Sequence, residues 1–384
     1  MTKMKIGFDA KRAAQNRTGL GNYSRLVLRI LSQQEPANEY HMYIPKAGRM
    51  PFVAEIPTLP QLHMHFPPAG LWHRMSSLWR VWGITADIVR DGIDVFHGLS
   101  NELPLNIRHS GCKSVVTIHD LIFLRYPQYY KRIDRAIYNY KFRRACENAD
   151  RVIAVSEFTK QDIMKYYGTP EEKIDVVYQG CDPVFSQEIP RGRLDEVKAR
   201  YGLPDRFVLY VGSIEERKNL MLVAEALNVM KKRCDPGCED IHVVAVGKHT
   251  SYADRIADYL KTNGLGGSFS FHHKVPFADL PAFYRLATVF VYPSRIEGFG
   301  IPMLEAVSSG LPAIGCTGSC LEEAGGPGSI YVSPDDPCRM AEAVQRVWTD
   351  VALRRRMIDE GRLYALNFTD EKLCEDLVAV YRKL

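Results

Sequence analysis

Short apolar runs alternate along the whole chain with longer stretches whose apolar positions recur every three or four residues. The first pattern is that of a buried β-strand, the second that of an amphipathic helix. In the N-terminal half the alternation predicts strands over 5–9, 41–44, 94–97, 114–118, 152–155 and 174–177, and helices over 22–33, 72–90, 132–148 and 157–167. In the C-terminal half it predicts strands over 207–211, 243–246, 269–272, 288–291 and 313–315, with helices over 219–231, 252–261, 279–286, 303–309 and 337–348. Strands that read apolar throughout, separated by helices, belong in parallel sheets covered on both faces. The expected fold class is therefore α/β, with two doubly wound, Rossmann-like domains. Cys181-Asp182-Pro183 reads as a turn, and 187–193 is polar and holds a proline and a glycine, which puts the boundary between Gly180 and Gly202, taken at 190. The expected domains are 1–190 and 191–368, followed by a last helix within 369–384.

Composition narrows the class. The chain has 384 residues, 46% hydrophobic and 25% charged, ordinary for a globular protein of about two domains. It holds no apolar run long enough to span a membrane, and its first residues read as a strand rather than a signal peptide. The expected location is thus cytoplasmic. Nine scattered cysteines suggest reduced thiols rather than a disulfide framework. Cys234/Cys238 and Cys316/Cys320 have a zinc-like spacing, but no second pair of ligands follows, and no metal is expected. Residues 1–190 carry 25 Lys+Arg against 19 Asp+Glu, while the rest is nearly balanced. The surplus gathers at Arg125, Lys131, Arg132, Arg135, Lys141, Arg143 and Arg144. Such a stretch is either a solvated helix face or a surface for an anionic membrane or a diphosphate-linked lipid. Nucleic acid is not an expected partner. Within 71–82 tryptophan is mixed with arginine, as in an interfacial helix. Leu71, Met75, Leu78 and Trp82 also recur at helical spacing, and this favours a core-facing helix.

The segment from Arg295 to Glu305 carries the most chemistry. Glu297 and Glu305 bracket a turn, Gly298-Phe299-Gly300, followed by Ile301-Pro302 and an apolar run. Glycine lets backbone approach a ligand, and proline suits the start of a helix. A helix opening after such a turn presents N–H groups and a partial positive charge to an anion. One ligand can then have phosphates on the helix end and hydroxyls on the carboxylates. A second motif, Gly212-Ser213-Ile214-Glu215-Glu216-Arg217-Lys218, follows a strand and leads into a helix. Its adjacent Arg217 and Lys218 suit a diphosphate, as planar fork and point charge.

Taken together these motifs resemble the GT4 family of retaining glycosyltransferases, which has the two-domain GT-B fold. The resemblance covers nearly the whole chain, with its specific motifs between Val211 and Glu305. It implies that Glu297 holds the donor sugar, that Glu305 binds ribose hydroxyls, and that amides near Phe299, Gly300 and Ile301 hold sugar and phosphate. It implies that Arg217 and Lys218 neutralise the leaving nucleoside diphosphate beside Gly212 and Ser213. Many members have arginine where Ser213 stands, so Arg217-Lys218 is a variant arrangement. Gly19 and Gly21 match a glycine-rich loop facing the donor phosphate, His119 a residue that completes the sugar pocket, and Lys274 and Val275 the backbone that meets the nucleobase. Asn101 and Glu102 follow a strand end, where they either bind acceptor hydroxyls or cap a turn, and Asp120 either orients the His119 ring or binds acceptor. The last helix is expected to cross back to the first domain. No Asp-x-Asp motif is present, so two cations and helix amides are expected to serve without a metal or other cofactor. The pattern is similar to mannosyltransferases of surface polysaccharide assembly. GDP-mannose is the first donor expected, a UDP-sugar the next, and the acceptor a glycan or lipid-linked oligosaccharide. The rival readings are a GT-B phosphorylase, a nucleotide-sugar epimerase, and a non-enzymatic nucleotide-sugar-binding scaffold.

Overall fold

Every strand pairs parallel with its neighbours, as strands apolar on both faces require. The structure, a computed structural model, describes residues 3–48 and 50–384. The chain divides into two compact units, one formed by Met1–Gln179 with Asp370–Leu384 and the other by Gly180–Thr369.

The first unit contains β1 (Lys5–Asp9), β2 (Glu39–Tyr43), β3 (Leu62–His65), β4 (Val95–Gly98), β5 (Lys113–Ile118), β6 (Arg151–Ala154) and β7 (Ile174–Val176), in the order β3-β2-β1-β4-β5-β6-β7. Successive residues supply opposite faces. Val95, Val115 and Ile153 belong to one buried cluster with Phe8, Tyr23 and Leu31, whereas Phe96, Val116 and Val152 belong to another with Trp79, Phe123 and Phe142. The second unit contains β8 (Val208–Val211), β9 (Val243–Val246), β10 (Phe269–His272), β11 (Val289–Tyr292), β12 (Ala313–Cys316) and β13 (Ile330–Val332), in the order β10-β9-β8-β11-β12-β13. Both sheets reverse their strand order once, at β1/β4 and at β8/β11. In open α/β sheets such a switch point opens a crevice beyond the carboxyl ends of the strands.

The helix Asp370–Arg382 returns to the first unit, as expected. Leu373, Leu377 and Tyr381 enter its core, Arg29 pairs with both carboxylate oxygens of Asp370, and the Tyr381 hydroxyl lies 2.7 Å from Nδ1 of the buried His97. The division falls after Gln179 rather than at 190. Phe185 explains the difference: it stacks edge-on against Tyr284, and its carbonyl accepts from Ser309 Oγ, both in the second unit.

Several elements differ from the sequence expectation. The segment 72–90 is not one helix. It breaks at Met75 (φ −108°, ψ 44°) and passes through a π-helical turn at Trp79–Gly83 before Ile84–Asp91. Its core reading is overturned, because Leu71 (65% exposed), Met75, Leu78 and Trp82 (46%) face outward. The inward residue is Trp79, whose indole N–H donates to Asp87 at 2.6 Å. Strands β3 and β13 were not predicted, being short and lacking an apolar run. Helices Arg191–Tyr201 and Val351–Ala365 were also not expected: few of their residues are buried, only Val197 in the first and Leu353, Met357 and Gly361 in the second.

Candidate active site

The motifs of the second unit sit at its switch point. The loop Gly212–Lys218 leaves the end of β8, and the loop leading to Glu297 leaves the end of β11. Backbone stitches them together: the Arg295 N–H donates to Arg217 O at 3.0 Å, and Arg217 Nη1 donates to Ile296 O at 2.7 Å. The approach is close enough that a Cβ on Gly247, from the loop after β9, would lie 1.8 Å from Gly212 O. Lys274 and Val275 follow β10 at the same end of the sheet, Lys274 exposed and Val275 half-buried.

Glu297 is the centre of a buried charge cluster. It is 8% exposed and Lys218 is 9% exposed. Its Oε1 accepts from Lys218 Nζ at 2.5 Å, Ser294 Oγ at 2.6 Å and the Tyr292 hydroxyl at 3.1 Å, and its Oε2 accepts from Arg217 Nη1 at 3.1 Å. Lys218 Nζ also donates to the Tyr292 hydroxyl at 2.6 Å, and Arg217 Nη2 to Glu215 at 2.9 Å. Burial by itself would raise the Glu297 pKa, but the Lys218 and Arg217 charges outweigh it and hold the carboxyl down at about 2. Burial pushes the Lys218 ammonium the other way, below its ordinary value, against the pull of Glu297. The sequence implied acids at one end of a ligand and cations at the other. In the structure Glu297, Arg217 and Lys218 are one ion-paired unit. Tyr292 and Ser294, which sequence reasoning passed over, hold its carboxylate; their signal was only that they are polar residues just past a strand end.

The turn after Glu297 is dictated by Gly300. Its φ of 101° lies in the left-handed region, and a Cβ there would stand 2.6 Å from Leu321 Cδ2. The helix Ile301–Ser308 starts at once, with Pro302 in its opening turn. Phe299 turns its ring inward against Phe368, so this position offers a ligand only its backbone. Glu305 lies one turn further into the helix than expected, since the first turn holds no acidic residue. Burial pushes its pKa up to about 7, even though its Oε2 accepts from the Tyr284 hydroxyl at 2.7 Å. One carboxylate of the pair is thus firmly ionised, and the other titrates near neutrality.

The first unit treats its candidates differently. His119 ends β5 as expected, but both ring nitrogens are engaged, Nε2 with Leu99 O and Nδ1 with Gln179 Nε2, each at 2.9 Å. Burial lowers its pKa to about 4, so the ring is neutral at pH 7. Asn101 adopts a left-handed φ of 64°, and its Oδ1 accepts the His119 backbone N–H at 2.7 Å. Asp120 Oδ1 accepts the Ile122 N–H at 3.1 Å, just before the helix Ile122–Arg125. Glu102 accepts from Arg80 at 2.8 Å and Lys141 at 3.3 Å, and Arg80 is held in turn by Asp9. Asn101 Oδ1 thus serves the turn, the Asp120 carboxylate is engaged by the Ile122 N–H, and both His119 ring nitrogens are taken by other groups. Gly21 is required by packing, because a Cβ there would meet Asn16 O at 1.9 Å, whereas Gly19 stands in open space at the start of helix Gly19–Gln34.

Comparison with known proteins agrees with this geometry. The family described as Glycosyltransferase Family 4 matches residues 20–185, and the family described as Glycosyl transferases group 1 matches residues 195–364. The chain belongs to the GT4 glycosyltransferases of GT-B fold, and it is a glycosyltransferase. It is 26% identical over 399 residues to the O-antigen chain mannosyltransferase B of Escherichia coli, covering 99% of this chain and 100% of that protein. It is 28% identical over 265 residues to the serotype-specific mannosyltransferase WbdA of Escherichia coli, covering 68% of this chain but only 32% of that longer protein. In fold it is similar to Anabaena HepE, whose crystal structure holds UDP and glucose, with a TM-score of 0.74 at 15% identity, 99% of this chain and 100% of that one being covered.

Proposed function

We propose that the protein transfers a hexose, mannose first, from a nucleoside-diphosphate sugar to a glycan or lipid-linked oligosaccharide, with retention at the anomeric carbon. The observation that carries this reading is the Glu297–Arg217–Lys218 cluster at the β8/β11 switch point, beside the glycine-started helix Ile301–Ser308. Arg217 and Lys218 stand together beside the buried Glu297, with Glu215 on the outer side of Arg217, and a diphosphate brought to the cluster would be met by both cations. As the glycosidic bond breaks, negative charge grows on the leaving phosphate, and the fixed Arg217 and Lys218 donors stabilise it without a metal or other cofactor. Glu297 holds both donors in place and offers its carboxylate to the sugar hydroxyls. The amides at Phe299, Gly300 and Ile301 take sugar and phosphate, and Glu305 the ribose. Gly212, Ser213, Lys274 and Val275 line the remainder of the donor path. His119, locked and neutral, acts as a positioning wall rather than a proton carrier. The two mannosyltransferase relatives support the choice of sugar.

The lipid-linked form of the acceptor is supported by the first unit. A groove of about 490 Å³ is lined by Leu78, Trp82, Leu103, Ile137 and Tyr140 among others, with Glu102 and Lys141 at its wall. Exposed Leu71, Met75 and Ile133 and exposed Lys131 and Arg132 belong to the same two segments. Aromatic, aliphatic and basic side chains together suit an anionic membrane surface. Part of the basic stretch is already paired, since Arg125 binds Asp162 and Arg144 binds Glu147.

The test is to incubate the purified protein with GDP-mannose and with UDP-glucose, and to follow slow donor hydrolysis by NMR. Release of the sugar first as the anomer present in the donor, undiminished by EDTA, is the expected result. Release as the opposite anomer, or activity lost to EDTA and rescued by Mg²⁺, would overturn retention or metal independence respectively. Sugar phosphate formed from glycan and phosphate would point to a phosphorylase, donor conversion without acceptor to an epimerase, and binding without either to a scaffold.

A further inference from the structure

We propose that Glu39, His41 and His63 form a binding site for a divalent cation of the zinc class, which clips the edge strand β3 to β2. Parallel register sets His41 opposite His63 and Tyr43 opposite His65, and side chains two apart share a face. Glu39-x-His41-x-Tyr43 on one strand and His63-x-His65 on the next therefore project the same way. One ligand atom from each of Glu39, His41 and His63 lies within 4.8 Å of the others. Tetrahedral zinc with ligand bonds of about 2.0–2.1 Å spaces its ligand atoms roughly 3.3 Å apart, so modest side-chain rotation closes the site.

The hydrogen bonds behind the cluster prepare His41 as a ligand. Asp91 Oδ2 lies 3.2 Å from His65 Nδ1 and accepts the Tyr43 hydroxyl at 2.9 Å. The carboxylate can only accept, so His65 carries its proton on Nδ1 and keeps a lone pair on Nε2. That Nε2 lies 2.9 Å from His41 Nδ1 and takes its proton, leaving the lone pair of His41 on Nε2. His41 is 7% exposed, and this Nε2 is a buried atom with no hydrogen-bond partner. Its nearest acidic neighbour is Glu39 Oε2 at 3.7 Å. A buried imidazole with an unused lone pair, oriented by a carboxylate through its other nitrogen, is the usual support for a metal-ligating histidine. His63 is exposed, so the ion has a way in and keeps a position for water. Lys3 and Lys5 contact Glu39 at 2.5 and 3.8 Å; Lys3 is exposed and Lys5 half-buried, and both ammonium groups can swing away from a dication. The three groups come from the outermost pair of strands, where an unpaired edge calls for cover.

The test uses the whole chain, stripped with chelator, kept reduced and titrated with Co²⁺ and then Zn²⁺. The expected result is one equivalent of Co²⁺ with the spectrum of nitrogen and oxygen ligation, displaced by Zn²⁺, and a melting temperature raised by Zn²⁺. His63→Ala should weaken binding about 100-fold or more and abolish the melting shift, and Glu39→Gln should act in the same direction. Asp91→Asn, which leaves all three ligands in place but disturbs the relay, should weaken binding about 10-fold at unchanged stoichiometry. Both His63 and Glu39 lie outside the core, so these variants remain informative if His41→Ala does not fold. Cobalt binding unchanged in His63→Ala and Glu39→Gln, or a spectrum dominated by thiolate charge transfer from the cysteines, would overturn the proposal.

Discussion

The two sheets reverse their order in the same way, yet their switch points are finished in opposite ways. In the second unit, three ionised side chains share one buried knot beside a helix start, with Glu215, Tyr292 and Ser294 as further partners. In the first, the residues at the equivalent strand ends have spent their polar atoms on the fold: His119 on Leu99 and Gln179, Asn101 on the His119 amide, Asp120 on the Ile122 amide. Strand-end position alone therefore does not make a ligand-binding residue. What separates the two crevices is a cluster of ion-paired side chains in the one and hydrogen bonding to backbone and amide groups in the other.

The contrast can be broken at its charged end. Glu297→Gln should lower turnover by at least about 100-fold, on the scale of losing one group that stabilises a transition state. Because it frees Arg217 and Lys218 from their shared anion, nucleoside diphosphate should bind as well or better by calorimetry. Turnover near wild type would remove Glu297 from the reaction. Gly300→Ala tests whether the helix start is as demanding as its φ and the Leu321 contact imply. It should cost about 2–4 kcal/mol in urea unfolding and abolish donor binding, given a clash combined with a left-handed backbone.

Glu305 sharpens the comparison through pH. Its carboxyl has a folded pKa of about 7 against 4.5 in the open chain. The folded state then holds more protons between these values, so this group lowers stability as pH rises from about 4.5 to 7. Glu305→Gln should remove that loss, gaining on the order of 2 kcal/mol at pH 8 relative to pH 5 in paired unfolding curves. Identical pH dependence in the two proteins would show that the carboxyl is not buried as described. At the finished crevice effects should be smallest: Asp120→Ala should cost about 1 kcal/mol, as for one lost hydrogen bond to backbone, with turnover nearly unchanged. A large fall in turnover at equal stability would return Asp120 to the acceptor site.

Much of this was legible in the sequence because it rests on periodicity and turn chemistry. The apolar runs of β1, β5, β8 and β9 each name a strand, and Gly-Phe-Gly-Ile-Pro names a helix start without reference to any partner. What was not legible depends on where chain segments meet. The Trp-Arg segment has helical spacing in its apolar residues, yet its buried residue is Trp79, chosen by Asp87. The His63-Met64-His65 alternation was in plain view, but it acquires meaning only once that segment is known to be a strand lying in register against Glu39-Tyr40-His41. The pairing of Glu297 with Arg217 and Lys218, some 80 positions away, likewise comes from the β8/β11 adjacency, which no local pattern encodes.

The return of the last helix makes the first unit discontinuous in sequence. Its buried His97, Thr117 and Tyr23 hydrogen-bond with one another while awaiting Tyr381, which the ribosome adds only after the entire second unit. A nascent chain of the first 179 residues therefore has a sheet but lacks one wall of its core, and it exposes the surface that Leu377 and Tyr381 later cover. Completion of the first unit thus waits on residues 370–384, and a chain stopped before them would present that open surface to chaperones and proteases.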